Sequence, residues 1–169
     1  LAIGPGLGFD REAEILKLVQ RAPQPMIIDA DALNVLARRT DLLMRCAGPR
    51  LLTPHPGEMA RLDPGATTRP RHETVTAFTA RFPVTLLLKG ARTLIGDAAR
   101  PLSYNSTGHP GMATGGMGDV LTGVCAALAG QGLALYDAAR LGAWLCGRAA
   151  ELAVFDGPES AESLSPRHV

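Results

Sequence analysis

Lysine is almost absent from this sequence. Of the 17 basic residues only Lys17 and Lys89 are lysines, and the others are arginines. The 16 acidic residues reduce the formal net charge to +1, so the chain lacks the excess positive charge with which proteins attract polyanions. We therefore predict that the protein does not bind nucleic acid. Lys89 becomes informative because it stands directly after an apolar segment.

Cysteine and long apolar runs are also scarce. The three cysteines, Cys46, Cys125 and Cys146, lack the C-x-x-C spacing of a metal or redox site. We predict buried free thiols in a reducing cytosol, which is the setting of a cytoplasmic protein. No segment reaches 18 consecutive apolar residues, so we predict no membrane-spanning helix. With 169 residues, 46% of them apolar, the chain is long enough for one domain with its own core.

Short apolar segments alternate with amphipathic segments, which is typical of an α/β protein with a mostly parallel sheet and helices on both faces. We predict strands at 1–3, 26–28, 51–53 and 84–88, an antiparallel pair at 93–96 and 102–104, and helices at 9–19, 32–39, 56–62, 72–81, 118–129 and 136–155. Asp10 is expected to cap the first helix. The last helix is apolar nearly all round, so it should be buried, with Trp144 in the core. Residues 156–169 are expected to form a loose polar tail.

Four segments each follow directly on the end of a predicted strand, namely GPGLG at 4–8, DADAL at 29–33, TPHPGE at 53–58 and LKG at 88–90. Because right-handed crossovers place the carboxyl ends of parallel strands along one edge, we expect all four segments to line one crevice where ligands bind. Asp29 and Asp31 could instead cap the helix at Ala32. Nothing local decides whether Asn34 faces a substrate.

The most informative stretch is NSTGHPGMATGGMGDVLTG at 105–123, which precedes an apolar helix that should begin at about Met117. Its small residues leave backbone amides uncovered, and the helix N-terminus adds a partial positive charge, so we predict an anion hole. Asp119 lies in the first helical turn. Its carboxylate is either a favourable partner of the helix dipole or a base that accepts a hydroxyl proton beside a bound phosphate. The residues alone leave both roles open.

The segment GMATGGMGDVLTG, preceded by NSTGHP, resembles the signature of the ADP- or ATP-dependent NAD(P)H-hydrate dehydratases, which belong to the ribokinase-like superfamily. IGPGLG at 3–8, IDADALNVLA at 28–37, LTPHPGEMARL at 52–62 and LLKGARTLI at 87–95 are similar to further blocks of that family. The resemblance covers residues 1–155 and implies a ribokinase-like three-layer sandwich. It also implies an enzyme that phosphorylates the ring hydroxyl of the (S)-hydrate of NADH or NADPH and then eliminates phosphate.

Carried over to this sequence, the resemblance implies that Asp119 is the catalytic base and contacts the hydrate. Gly6, Gly8 and His55 would bind the hydrate as well, and Glu58 would order Mg²⁺ through water. Two local alternatives remain open on the residues alone. His55 could hydrogen-bond a loop carbonyl, and GPGLG could be only a tight turn.

The same resemblance implies that ADP or ATP is the phosphoryl donor. The residues that would bind this nucleotide are Lys89, Gly90, Ala91, Arg92, Thr93, Gly115, Gly116 and Gly118. The local alternative for Lys89 is a solvated charge at a strand end, and in either role we expect it to contribute little to packing.

Three departures from the family pattern stand out. Met117 replaces the usual Thr of the loop, His109 replaces the usual Asn, and the family's domain begins well before the segment that matches Leu1. We therefore expect a domain that is incomplete at its N-terminus, and either a missing segment or a homo-oligomer that completes it. Two further hypotheses are a catalytically inactive nucleotide-binding or assembly module, and a vitamin-precursor kinase of the same superfamily.

Overall fold

A six-stranded sheet lies at the centre of the fold, and its strands follow one another in chain order. The computed structural model describes residues 1–169. The strands are β1 (Ala2–Ile3), β2 (Met26–Ile28), β3 (Arg50–Leu52), β4 (Thr85–Leu88), β5 (Leu94–Asp97) and β6 (Arg100–Tyr104). The first four strands are parallel, and β5 and β6 are added antiparallel. The predicted sheet and its antiparallel pair are therefore confirmed.

Six α-helices cover the two faces of this sheet. They are α1 (Glu12–Arg21), α2 (Ala30–Leu36), α3 (Pro56–Leu62), α4 (Arg71–Arg81), α5 (Met117–Gly130) and α6 (Leu135–Phe155). The apolar side chains of α1 to α4 pack on one face, and those of α5 and α6 pack on the other. The three-layer sandwich that the resemblance implies is thereby confirmed.

The strands are apolar on both sides because both faces of the sheet are covered. Successive residues of a strand point to opposite faces. In β2, Met26 and Ile28 pack with the helices α1 to α4, whereas Ile27 packs with α5 and α6. The side chains of β4 and β5 divide in the same way. Continuous apolar runs such as 26–28 and 86–88 are what a doubly covered strand requires.

Two of the predicted helix caps are wrong. Arg11, not Asp10, precedes the first helical residue of α1, and it makes no side-chain capping bond. Helix α2 begins at Ala30, two residues earlier than predicted, so Asp31 lies inside its first turn. Asp29 takes the cap position of α2, but its side chain makes no capping bond there. The carboxylates of Asp29 and Asp31 are therefore directed to other partners.

Helix α6 is not buried all round, and the prediction that Trp144 lies in the core is wrong. Trp144 is 45% exposed, and Leu141 and Leu145 are exposed beside it. Leu135 and Tyr136 are buried in the first turn of α6, and the buried residues after them are all small, namely Ala138, Ala139, Gly142, Ala143, Cys146, Gly147 and Ala150. A Cβ atom on Gly142 would come within 2.8 Å of Cys125 Sγ, so α5 and α6 approach too closely for large side chains between them. Beyond the first turn of α6, Leu141, Trp144 and Leu145 therefore face outward.

No helix combines the length and the apolar character that a bilayer crossing requires.

The chain end packs instead of forming a loose tail. Leu164 is 3% exposed and contacts Met117 at the start of α5 and Ala150 of α6, and Val169 packs beside them. The prediction of a loose tail over 156–169 is therefore wrong for these positions. Two apolar side chains in a polar stretch are sufficient to dock it on an apolar surface that the helices leave open.

The cysteines are free thiols, as predicted. Cys125 and Cys146 are buried between α5 and α6, and Cys46 is partly buried. Burial raises the pKa of the Cys125 thiol to about 12, and burial also raises the pKa of Cys146 and Cys46. A thiol with a raised pKa is almost wholly protonated near neutral pH and reacts slowly. The cysteines are thus part of the packing and offer no nucleophile.

The close approach of α6 to the loop before α5 gives the first testable prediction. A Cβ atom on Gly147 would lie 2.7 Å from the carbonyl carbon of Thr107, whereas one on Gly123 in α5 would meet nothing within 4 Å. We expect Gly147→Ala to lower the free energy of unfolding by about 1–3 kcal/mol through overpacking. We expect Gly123→Ala to raise it by about 0.5–1 kcal/mol, because alanine favours a helix interior. Urea unfolding of both variants is the measurement, and a stability change of the same sign in both would contradict the packing described.

Candidate active site

The turn after β1 is built from glycines that no other residue could replace without strain. Gly4 has a φ of +136°, and a Cβ atom there would lie 2.6 Å from the carbonyl carbon of Asp29. Gly6 and Gly8 also have positive φ angles, of +69° and +67°. The Gly8 N–H donates a hydrogen bond of 3.0 Å to Asp31 Oδ2. GPGLG is thus a tight turn fastened to α2 at the carboxyl edge of the sheet, and hydrate binding by Gly6 and Gly8 stays a prediction.

Asp29, at the end of β2, holds a buried carboxylate that is 1% exposed. Its Oδ1 accepts a hydrogen bond of 2.8 Å from Lys89 Nζ, and its Oδ2 accepts one of 2.8 Å from Thr122 Oγ1. The next residue, Ala30, has a φ of +47°, which is unfavourable for an L residue by about 1–2 kcal/mol. Such strain in the backbone persists only where the surrounding structure imposes it. The turn that directs the Asp29 carboxylate inward is therefore tightly specified.

Lys89 is not the solvated charge that its position at the end of β4 suggested. Its side chain is only 20% exposed, and Nζ lies 2.8 Å from Asp29 Oδ1 and 3.8 Å from Glu58 Oε2. The Lys89 backbone N–H donates to the carbonyl oxygen of Pro54 at 2.8 Å. Lys89 therefore links the ends of three neighbouring strands, and the expectation that it contributes little to packing is wrong.

His55 and Glu58 begin helix α3 as a reciprocal pair of caps. His55 Nδ1 accepts hydrogen bonds from the backbone N–H groups of Gly57 at 3.0 Å and of Glu58 at 3.3 Å. Glu58 Oε2 in turn accepts from the His55 backbone N–H at 2.8 Å. A ring whose Nδ1 accepts carries its proton on Nε2 when neutral, so the ring does not bond a loop carbonyl through Nδ1. The His55 side chain remains 52% exposed at the crevice, with Nε2 3.6 Å from Glu58 Oε1, and hydrate binding by His55 stays a prediction.

The glycine-rich segment leads into α5 through a left-handed residue. Gly116 precedes the helix with a φ of +89°, and a Cβ atom on Gly115 would meet nothing within 4 Å. A Cβ atom on Gly118 would lie 3.3 Å from Lys89 Nζ and 3.5 Å from Asp29 Oδ2. The ammonium of Lys89 therefore lies against the first turn of α5, whose N-terminus has unpaired N–H groups and a partial positive charge. This combination is suited to binding an anion.

Asp119 occupies the third position of α5, and its side chain is exposed. The carboxylate is therefore unpaired, and it lies beside the turn at 114–118, which we call the anion-binding turn. Its geometry suits both a base in contact with a ligand and a partner of the helix dipole. Distinguishing the two roles requires a measurement of turnover beside a measurement of stability.

The turn at 89–93 is held by a residue that the sequence analysis missed. Arg71, the first residue of α4, donates from Nη1 to the Ala91 carbonyl oxygen at 2.6 Å and from Nη2 to those of Leu88 and Lys89 at 3.1 and 3.2 Å. Gly90 in this turn has a φ of +136° and Arg92 one of +53°, so the backbone here is unusual twice in three residues. Arg71 therefore fixes this backbone. The sequence does not show the contact, because Arg71 lies 17 to 20 residues before the carbonyl groups of Leu88 and Ala91 that it bonds.

The structure brings together most of the residues that the sequence analysis placed at one crevice. Contacts within 4 Å connect the side chains of Asp29, Glu58, Lys89 and Thr122. Gly118 packs directly against Lys89 and Asp29. The turns of GPGLG and of residues 89–93 lie at the same sheet edge, because each directly follows one of the parallel strands. Nucleotide binding by Gly90, Ala91, Arg92, Thr93, Gly115 and Gly116 stays a prediction.

The pairing of Lys89 gives the second prediction. Removing the ammonium by Lys89→Ala leaves the buried Asp29 carboxylate without its charge partner, and we expect a loss of about 3 kcal/mol in unfolding free energy. Lys17→Ala is the matched control, because Lys17 is the other lysine and its side chain is exposed on α1. Chemical denaturation of both variants tests this, and equal stability of the two would show that the ion pair contributes nothing.

Comparison with known proteins agrees with this geometry. A sequence model of the NAD(P)H-hydrate dehydratase family matches residues 1–161. The bifunctional NAD(P)H-hydrate repair enzyme of Moorella thermoacetica is 50% identical over 157 residues, which are 89% of this chain and 29% of that protein. The ADP-dependent (S)-NAD(P)H-hydrate dehydratase of Neisseria meningitidis is 39% identical over 159 residues, which are 89% of this chain and 53% of that protein.

A solved structure is similar as well. It is the crystal structure of the ADP/ATP-dependent NAD(P)H-hydrate dehydratase of Bacillus subtilis, co-crystallised with ATP and Mg²⁺ and soaked with CoA. It matches with a TM-score of 0.82 and 31% identity over 99% of this chain and 60% of that chain. The chain therefore spans less than two thirds of the length of each of these proteins. By its sequence match over residues 1–161 and by its fold, the chain belongs to the NAD(P)H-hydrate dehydratase family.

Proposed function

We propose that this chain carries the catalytic edge of a nucleotide-dependent dehydratase that acts on the (S)-hydrate of NADH or NADPH. The observation that supports this most directly is the exposed Asp119 carboxylate in the first turn of α5, beside a helix N-terminus that rests on the Lys89 ammonium. A base and an anion cradle at one point are the two elements that phosphoryl transfer to a hydroxyl group requires.

The proposed reaction has two steps. Asp119 accepts the proton of the ring hydroxyl while the hydroxyl oxygen takes the terminal phosphoryl group of the nucleotide. The C–O bond to the new phosphate then breaks as the lone pair of the ring nitrogen forms a C=N bond, and the adjacent ring carbon loses a proton, so that the carbon–carbon double bond of the reduced nicotinamide is restored. The products are NADH or NADPH, inorganic phosphate and the nucleotide shortened by one phosphoryl group. The hydroxyl oxygen of the hydrate leaves as an oxygen atom of the inorganic phosphate.

Each group of residues has one part in this proposal. The backbone N–H groups of Gly115, Gly116 and Gly118 bind the transferring phosphoryl group, because a helix N-terminus offers uncommitted donors. The turn from Lys89 to Thr93 lies against the nucleotide phosphates. Gly6, Gly8 and the exposed edge of His55 bind the hydrate. The nucleotide is ADP or ATP, in agreement with the names of the Neisseria and Bacillus relatives.

Magnesium fits this site only through water and phosphate. The chain has no cluster of three potential protein ligands for a metal ion. Glu58 Oε2 is bound by the His55 N–H, whereas Oε1 lies 3.6 Å from His55 Nε2 and can accept from a water molecule. Mg²⁺ commonly keeps several waters and binds to substrate phosphates, where it neutralises their charge. Glu58 is therefore the residue that would face a hydrated Mg²⁺.

The third prediction tests the function itself. The purified chain is incubated with NADPH hydrate, ADP and Mg²⁺, and the return of reduced-nicotinamide absorbance is measured together with released phosphate. We expect equal amounts of NADPH and phosphate to form. A phosphorylated product without phosphate release would favour the kinase alternative. Binding of ADP without turnover would favour the inactive binding module.

The fourth prediction separates the two roles of Asp119. If Asp119 is the base, Asp119→Asn lowers turnover by a factor of about 10²–10⁴, the range for loss of a general base. Affinity for the nucleotide is retained or increased, because a negative charge beside the phosphates is removed. The loss of stability stays within the helix-dipole contribution of about 0.3–1 kcal/mol.

Asp137 provides the matched control, because it occupies the corresponding third position of α6. Asp137→Asn also weakens the exposed ion pairs of Asp137 with Arg100 and Arg140, so it is expected to lower stability by at least as much as Asp119→Asn and to leave turnover unchanged. Steady-state kinetics and urea unfolding of both variants are the measurements. Should Asp119→Asn keep its turnover and lose only stability, the carboxylate is a dipole partner and another group must be the base.

A further inference from the structure

The buried Asp29 carboxylate joins two parts of the crevice that are distant in the chain. Lys89, which donates to Oδ1, is 60 residues away, and Thr122, which donates to Oδ2, is 93 residues away. Lys89 follows β4, and Thr122 lies in the second turn of α5. One carboxylate therefore uses each of its oxygens to hold one side of the anion-binding turn.

A simple structural role does not account for this arrangement. Asp29 takes the cap position of α2 but gives that helix no side-chain hydrogen bond. Ala30 beside it has a strained backbone and Gly4 packs closely against the Asp29 carbonyl group, while the carboxylate itself points to Lys89 and to Thr122 of α5. A buried ion pair is a weak source of stability, because desolvation offsets much of the attraction between the charges.

We propose that Asp29 is a positioning residue for the nucleotide-phosphate cradle. It fixes the Lys89 ammonium through Oδ1 and the first turns of α5 through Thr122 at Oδ2, so that the ammonium and the helix N-terminus keep one separation. This inference rests on the proposed function, in which that cradle binds the phosphates of ADP or ATP.

The properties of lysine explain why such a residue is needed. An ammonium group on a four-carbon stem is a point charge with many rotamers, and ordering it when the ligand binds reduces affinity. Asp29 orders it beforehand. A Cβ atom on Gly118 would lie only 3.3 Å from Lys89 Nζ. A small shift of α5 therefore changes the distance between the ammonium and the helix N-terminus. Thr122 prevents that shift.

Thr122→Val is the sharpest test, because it removes the hydroxyl donor to Asp29 and changes neither charge nor volume by much. Asp29→Ala is less informative, since it strands the Lys89 ammonium and can prevent folding. The matched control is Thr79→Val in α4. Thr79 and Thr122 are equally buried, at 4% exposure, but the Thr79 hydroxyl bonds only carbonyl groups of its own helix.

The first readout is ligand affinity by calorimetry. We expect Thr122→Val to weaken ADP binding roughly tenfold, as for the loss of one hydrogen bond to a charged group, and to leave adenosine binding within about twofold. Thr79→Val should bind both ligands like the parent, and Thr122→Ser should restore ADP affinity. A general loss of stability would not distinguish ADP from adenosine.

The second readout needs no nucleotide. With only two lysines in the chain, reductive methylation followed by mass spectrometry reports on Lys89 with Lys17 as an internal reference. In the parent and in Thr79→Val, we expect Lys89 to react more slowly than Lys17. In Thr122→Val, we expect Lys89 to react faster than Lys89 does in the parent or in Thr79→Val.

The outcomes separate the inference from the proposed function. If the parent binds ADP and Thr122→Val binds it equally well, or if Thr79→Val loses as much affinity, the inference is overturned and the proposed function stands. If the parent does not bind ADP, the proposed function fails. The reactivity of Lys89 then decides the positioning role, and an unchanged rate in Thr122→Val overturns it.

Discussion

The ion pair between Asp29 and Lys89 is the interaction on which the carboxyl edge of the sheet depends. It connects the end of β2 with the end of β4 across β3, and Thr122 extends the connection to α5 in the opposite layer. Strand pairing alone would align the strands but would leave the turns after them free. The pair sets where those turns stand relative to the helix N-terminus.

Unusual backbone conformations are concentrated around this interaction. Gly4, Ala30, Gly90 and Gly116 all have positive φ angles, and each lies in a turn at the carboxyl edge, next to a strand or helix end. Glycine adopts such angles without strain, whereas the strain at Ala30 must be offset by the packing of the elements that the turn connects. The continuous apolar runs of β2 and β4 and the close contact of α5 with α6 provide that packing. The regular layers therefore hold an irregular edge in place.

The layers and the anion-binding turn could be predicted because their signals are local. Apolar periodicity assigns the strands and helices, and consecutive small residues before a helix mark the turn at 114–118. Asp29 and Arg71 were missed or misassigned, because their partners lie far away in the chain and an aspartate before a helix fits a cap equally well. Trp144 was misplaced since periodicity shows which residues share a helix face but not which face is packed. The small residues at 139, 143, 146 and 150 carried the signal for the buried face.

The charges of the cluster restrict how the site binds phosphate. Asp29 and Glu58 bring two formal negative charges to one from Lys89, so the buried group has an excess of one negative charge. An anion approaching this cluster alone would be repelled, and the helix N-terminus contributes only about half a positive charge. Lys89 is therefore the counter-ion of two buried carboxylates, and its ammonium supports phosphate binding by its fixed position beside the helix N-terminus more than by net charge. Binding of a nucleotide then combines this ammonium with the directed N–H groups of the turn at 114–118 and with a cation that accompanies the phosphates. A carboxylate with one uncommitted oxygen, as in Glu58, favours such a cation.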